Sequence, residues 1–253
     1  MTEASRRRPL LLFDLVGTLV DEESDYASLD AVMEAARYRF GINEEASALS
    51  GDFSLALMEI LRGEEPESGA PAVPSEFVPF EQAAKEIFAA VLEVRGIEAK
   101  PNDVQWFWKT FVDVQKRLVK LHPDAVECLA WAREQGYGVW VITDADPYFV
   151  TQVIPHTGLD ALWDGIVTAN EAGAPKPEAP IYRLALARAG VTPLHAIMVG
   201  DSYERDVLGA RAAGIPRAVL VDRHQARTVD DVPVISSLLS LPAALASVVP
   251  SIN

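Results

Sequence analysis

The chemistry open to this chain lies in a few charged and hydroxyl side chains that interrupt or end apolar runs. The first is Asp14, the only acid in the run LLLFDLVGTLV, residues 10–20. Such a run reads as a buried parallel strand delivering a carboxylate to its carboxyl end, where open α/β sheets build active sites. Gly17 permits close backbone approach and Thr18 adds a hydroxyl, which equips Asp14 for nucleophilic attack through its carboxylate. A strand-end or turn aspartate with no chemistry is the plainer alternative.

Three further segments carry comparable groups. VWVITDAD ends a second apolar strand with Thr143 and Asp144, AGAPKPEAPIY presents Lys176 between two prolines, and AIMVGDSYERDVLGARAAG ends a third strand with Asp201 and Asp206. Asp14, Asp201 and Asp206 converging at one sheet edge would form an all-oxygen cluster suited to Mg²⁺. Three carboxylates in one cleft repel each other unless a cation or a proton sits between them. For Asp206 the alternative is a helix cap or an ion pair with Arg205 or Arg211. For Lys176 it is a surface lysine ahead of a helix that starts with proline. Lys176 is nevertheless the only lysine outside residues 21–120, the others being Lys85, Lys100, Lys109, Lys116 and Lys120.

These four segments in this order resemble the haloacid dehalogenase superfamily of aspartate-nucleophile hydrolases, over Pro9 to Val20 and roughly Leu121 to Val221. The resemblance implies a doubly wound, parallel-sheet, Rossmann-like α/β core with an inserted C1-type α-helical cap that closes over Asp14 and chooses the substrate. It implies a phosphorylated small molecule as substrate and Mg²⁺ as cofactor. The metal ligands would be Asp14, the backbone carbonyl of Val16, Asp201 and Asp206. Gly17, Thr18, Thr143, Asp144 and Lys176 would meet the transferring group, with Lys176 neutralising it.

One residue departs from the pattern. Family phosphatases carry a second aspartate two residues after the nucleophile as general acid and base, and here that position is Val16. Without a proton donor, expulsion of a high-pKa alkoxide forgoes a factor of ~10² to 10⁴. Four outcomes stay open. A phosphatase would use a leaving group that needs no proton, or water or Asp144 in place of the acid. A 2-haloacid dehalogenase would expel halide, with Arg37 or Arg39 as its cap arginine, although such enzymes lack the metal-binding Gly200–Asp201 pair. A phosphonate hydrolase would need an early cap lysine, and none precedes Lys85. The last is a silent metal- or phosphate-binding or interaction protein.

The elements that must position these groups follow from periodicity. With 253 residues, 49% of them hydrophobic, the chain can bury a core domain and an insert. The core is expected at residues 1–20 and 121–253, and a helical cap at 21–120. That inserted block holds 20 of the 37 acids but 10 of the 22 Lys and Arg, a net charge of −10. Helical spacing marks Ser24 to Phe40, Glu44 to Arg62, Ser75 to Arg95 and Asn102 to Lys120, with Gly41, Gly63 and Gly96 as stops. Residues 63–74, rich in Pro, Gly and Glu, read as a solvated linker. From His122 strands and helices alternate: helix 123–135, strand 138–143, helix 148–157, strand 165–168, helix 177–189, strand 196–200, helix 203–213, strand 217–221. A net charge of −15 argues against nucleic acid as a partner, and Arg6 to Arg8 read as a solvated tail. No run reaches the ~18 apolar residues of a membrane span, so a cytoplasmic monomer or homodimer is expected. The single cysteine, Cys128, reads as core filler. Trp106, Phe107 and Trp108 read as cap packing or a dimer face ahead of substrate stacking.

Overall fold

Apolar runs too short for helices and rich in Val, Ile and Leu form a parallel sheet in the computed structural model, which describes residues 9–62, 80–225 and 229–248. Its strands are β1 (Leu10–Phe13), β2 (Gly138–Thr143), β3 (Gly165–Thr168), β4 (Ala196–Gly200), β5 (Ala218–Val221) and β6 (Val234–Ile235), in the order β3-β2-β1-β4-β5-β6. All pairings are parallel, with Phe13 between Val141 on one side and Val199 on the other. The order reverses between β1 and β4. In doubly wound sheets that switch point opens the crevice in which ligands bind. Asp14 follows β1 and Asp201 follows β4, so both stand at this crevice.

The chain divides into two compact units: Met1–Asp21, Lys120–Pro147 and Thr157–Asn253 form the α/β unit, and Glu22–Val119 with Tyr148–His156 form the helical unit. Within the α/β unit the central strands are wholly buried, because α5 (Ala125–Glu134), α6 (Ala169–Ala172), α7 (Ala179–Ala189), α8 (Gly209–Ala212) and α9 (Leu241–Val248) supply apolar faces to the sheet. Ile142, Val167, Ile181, Tyr182, Met198 and Val207 make up much of one core. Three of these strands and α-helices lie outside the expected series: α6, a short helix directly after β3, β6, too short to show alternation, and α9. The segment expected as a helix over 203–213 begins with wider π-type turns at Tyr203–Leu208 and becomes α-helical only at α8. There the Tyr182 hydroxyl donates to the Arg205 carbonyl, giving that oxygen a partner outside its own helix.

The helical unit consists of α1 (Glu22–Phe40), α2 (Ala46–Arg62), α3 (Phe80–Glu93), α4 (Pro101–Leu118) and the 148–156 segment. Its core is aromatic: Phe88 stacks on Phe107 with ring centroids 4.1 Å apart, and Phe53 is 5.8 Å from Phe107. Burying one such ring contributes about 1.5–3 kcal/mol. Phe107 and Trp108 are buried in this packing, and Trp106 meets Phe40 edge-on. Tyr148 stacks on Phe80 at 5.9 Å and meets Trp108 edge-on at 4.5 Å. That is why residues 148–156, expected with the α/β core, group with the helices instead. Gly41 and Gly96 end α1 and α3 in left-handed conformations. Arg6 to Arg8, the linker at 63–74 with its Gly63 stop, and the start of the third helix at Ser75 lie outside the described residues. Among the described residues no helix is long and apolar enough to cross a membrane.

Candidate active site

Strand β1 ends at Phe13, and Asp14 keeps its register: its backbone N donates to the Val199 carbonyl at 2.9 Å. The chain then closes on itself. Leu19 N and Val20 N both donate to the Leu15 carbonyl, at 2.9 and 2.8 Å, and Gly17 N donates to the Val20 carbonyl at 2.8 Å. This tight turn needs Gly17 at φ +92°, a region L side chains avoid. Space demands glycine too, since a Cβ there would stand 2.7 Å from Asp201 Oδ2. Thr18, fully buried at the turn, donates its hydroxyl to Asp201 Oδ1 at 3.1 Å. Val16 is half-buried on the same turn.

The other groups reach Asp14 from two further loops. Lys176 is buried, not a surface lysine, and its ammonium donates to Asp14 Oδ1 and, at 2.7 Å, to Asp206 Oδ1. Asp144 fixes the lysine loop by accepting from Lys176 N at 2.8 Å, and its other oxygen lies 3.5 Å from Arg205. A carboxylate so engaged holds the loop in place. Asp206 Oδ2 accepts from Ser202 N at 2.9 Å, so Asp206 pairs with Lys176 and neither with Arg205 nor Arg211; Arg211 pairs with Asp231. Gly200 makes room for it, because a Cβ there would stand 2.3 Å from Asp206 Cγ. Thr143 is buried, and its hydroxyl accepts from Ala145 N at 3.0 Å.

Electrostatics follow from this burial. Removal from water pushes the Asp14 carboxyl up to about 6, Lys176 pulls it partly back, and Asp201 adds to the rise. Burial likewise raises Asp206 against the pull of Lys176. For Lys176, burial disfavours the ammonium, but Asp14, Asp206 and Asp144 together outweigh it and hold the cation well above its usual range. One lysine therefore offsets part of a three-carboxylate cluster whose oxygens, one each from Asp14, Asp201 and Asp206, lie within 4.8 Å of one another. Asp14 Oδ2 is buried and has no hydrogen-bond partner. Three such hard oxygen donors at this spacing fit a divalent cation such as Mg²⁺.

A family model for haloacid dehalogenase-like hydrolases matches residues 9–214. The chain belongs to that family. This haloacid dehalogenase-like hydrolase is 38% identical to a phosphoserine phosphatase from Thermus thermophilus over 43% of each chain. It is 25% identical to phosphoglycolate phosphatase 1 from Pseudomonas aeruginosa, over 86% of this chain and 71% of that one. The chain spans about half the length of several curated relatives it matches. Its fold is that of a 2-haloacid dehalogenase from Pseudomonas syringae pv. Tomato, with a TM-score of 0.70 at 23% identity, covering 96% of this chain and 100% of that one.

Two residues expected at the site of this hydrolase belong to its helical unit. Arg37 hydrogen-bonds Glu34 at 3.3 Å, and Arg39 hydrogen-bonds Asp103 at 3.1 Å while lying 4.7 Å over the Trp106 ring. Each guanidinium is thus engaged by an acid within that unit. Sequence reasoning missed Arg223 and Asp124, which form a forked ion pair with both contacts at 3.0 Å, and Arg223 also donates to the Thr18 carbonyl at 2.7 Å. Asp124 carries only an apolar flank on either side, and Arg223, between Asp222 and His224 just after the last expected strand, carries no signal at all. Cys128 is buried in α5, where burial pushes its thiol up to about 12.

Proposed function

We propose that this chain is a Mg²⁺-dependent phosphatase of small phosphorylated metabolites, working through an aspartyl-phosphate on Asp14. The observation that carries the reading is the state of the Asp14 carboxylate. One oxygen is held by Lys176 and the other is buried and unpartnered, at the switch point of the sheet. An oxygen held on a carboxylate that Lys176 fixes, and engaged by no donor of its own, is free to act as a nucleophile. The names of the phosphatase relatives support the same reaction class.

In the first step Asp14 Oδ2 bonds to phosphorus while the bond from phosphorus to the leaving oxygen breaks, and its electron pair leaves with that oxygen. In the second, water attacks phosphorus, the bond to Oδ2 breaks, and orthophosphate departs. Lys176 offsets charge on the phosphoryl oxygens, the Thr18 hydroxyl holds the Asp201 carboxylate, and Thr143 ends the neighbouring strand β2. Mg²⁺ held by Asp14, Asp201, Asp206 and the Val16 carbonyl would supply further positive charge to those oxygens. Val16 offers no proton to the leaving oxygen, which favours leaving groups that depart as stable anions, such as the carboxylate of an acyl phosphate.

Turnover of acetyl phosphate or p-nitrophenyl phosphate that needs Mg²⁺ and vanishes with EDTA is expected. In Val16→Asp, kcat on alkyl phosphates should rise, by up to ~10² to 10⁴ if proton donation limits the wild type. Val16 also favours a second reading, halide displacement, since halide leaves without a proton. Chloride release from 2-chloropropionate without metal, with no phosphate turnover, would select it and reject the phosphatase.

A further inference from the structure

We infer that Arg223 is a positioning residue, holding the turn after Asp14 in the shape that brings Thr18 to Asp201. Asp124 is buried and accepts four hydrogen bonds: from Arg223 Nη1 and Nη2 at 3.0 Å each, from Ser237 Oγ at 2.7 Å and from Leu238 N at 2.9 Å. A planar guanidinium gripped by both carboxylate oxygens has its orientation fixed. Its Nη2 then donates to the Thr18 carbonyl at 2.7 Å. The bonds within the turn use the Leu15 and Val20 carbonyls, and the Leu19 carbonyl accepts from His122 N. Arg223 is therefore the anchor of the Thr18 carbonyl, in the same residue whose hydroxyl donates to Asp201.

The contact chain runs from Leu238 and Ser237 through Asp124 and Arg223 to Thr18 and Asp201. All of these residues lie in the α/β unit. Arg223 touches no reacting group and acts through the turn alone. A lysine in its place keeps a charge opposite Asp124 but cannot grip both carboxylate oxygens and the carbonyl in one plane. That difference separates positioning from simple ion pairing.

The inference rests on reading Asp14 and Asp201 as the reacting and metal-binding carboxylates, and the test separates the two ideas. Wild type, Arg223→Lys and Arg223→Gln are compared for p-nitrophenyl phosphate kinetics, thermal unfolding and Mg²⁺ affinity by calorimetry. Both variants should lose about tenfold or more in kcat with KM little changed, since misplacing a catalytic turn costs rate more than binding. Both should bind Mg²⁺ more weakly, and Arg223→Lys should melt closer to wild type than Arg223→Gln does. Wild-type kcat and wild-type Mg²⁺ affinity in Arg223→Lys would overturn the inference and leave the proposed function standing. Should the wild type turn over no phosphate, the phosphatase reading falls, and calorimetry alone decides: weaker Mg²⁺ binding in Arg223→Lys supports the anchor, unchanged binding rejects it.

Discussion

Replacing Lys176 with methionine removes the cation shared by Asp14 and Asp206 while nearly conserving volume. The Lys176 and Asp206 side chains are each 1% exposed and that of Asp14 is 8% exposed, so water cannot take over the lysine's role. Deleting one partner of a buried ion pair leaves the other charge uncompensated and costs about 3–5 kcal/mol. The variant escapes part of this cost by protonating its acids. Asp14 already sits at about 6 with the lysine present, above its ordinary 3.8, and losing the lysine moves it higher still. An acid whose folded-state value is raised contributes stability that is complete below its unfolded value and is lost as pH climbs through the folded one. The deficit relative to wild type should therefore be full at pH 8 and much smaller at pH 5. Urea unfolding of both proteins in EDTA at the two pH values measures it. A deficit below about 1 kcal/mol at pH 8, the level of an exposed pair, would refute the reasoning, as would equal deficits at both pH values.

Further outcomes follow from the same geometry. Gly200→Ala places a Cβ 2.3 Å from Asp206 Cγ, so stability should drop by about 1–3 kcal/mol and turnover should fall with it; wild-type unfolding would show that the loop has slack. In Asp14→Asn turnover should vanish, while circular dichroism stays native because Lys176 retains Asp206; residual turnover at the wild-type level would remove Asp14 from the chemistry. The Cys128 thiol, raised from 9.0 to about 12, presents roughly a thousandfold less thiolate. Disulfide reagents at pH 8 should label it only after denaturant is added, and rapid native labelling would contradict its burial.

The strands and the site loops are legible in the sequence because polar interruptions in apolar runs mark where a buried strand must end. Asp14, Asp201 and Asp206 lie at or beyond such ends, and Lys176 stands out as the only lysine outside residues 21–120. That the three carboxylates gather within 4.8 Å of one another, with Lys176 on two of them, is a property of strand order, which no single run reveals. The Asp124–Arg223 pair is hidden for a related reason: its partners are 99 residues apart, and no periodicity links them. β6 is two residues long, below any detectable alternation. The helical pattern at 148–156 shows which residues are apolar but not what they pack against, and Tyr148 finds the rings of Phe80 and Trp108.

The Tyr148–His156 piece makes the helical unit discontinuous in sequence. A graft of Glu22–Val119 onto another scaffold would leave the Phe80–Trp108–Phe111 surface without its Tyr148 ring, so chimeras meant to exchange this unit must carry the second piece as well. During synthesis, likewise, the unit begun at residue 22 waits for residue 156 to emerge from the ribosome before its aromatic packing is complete.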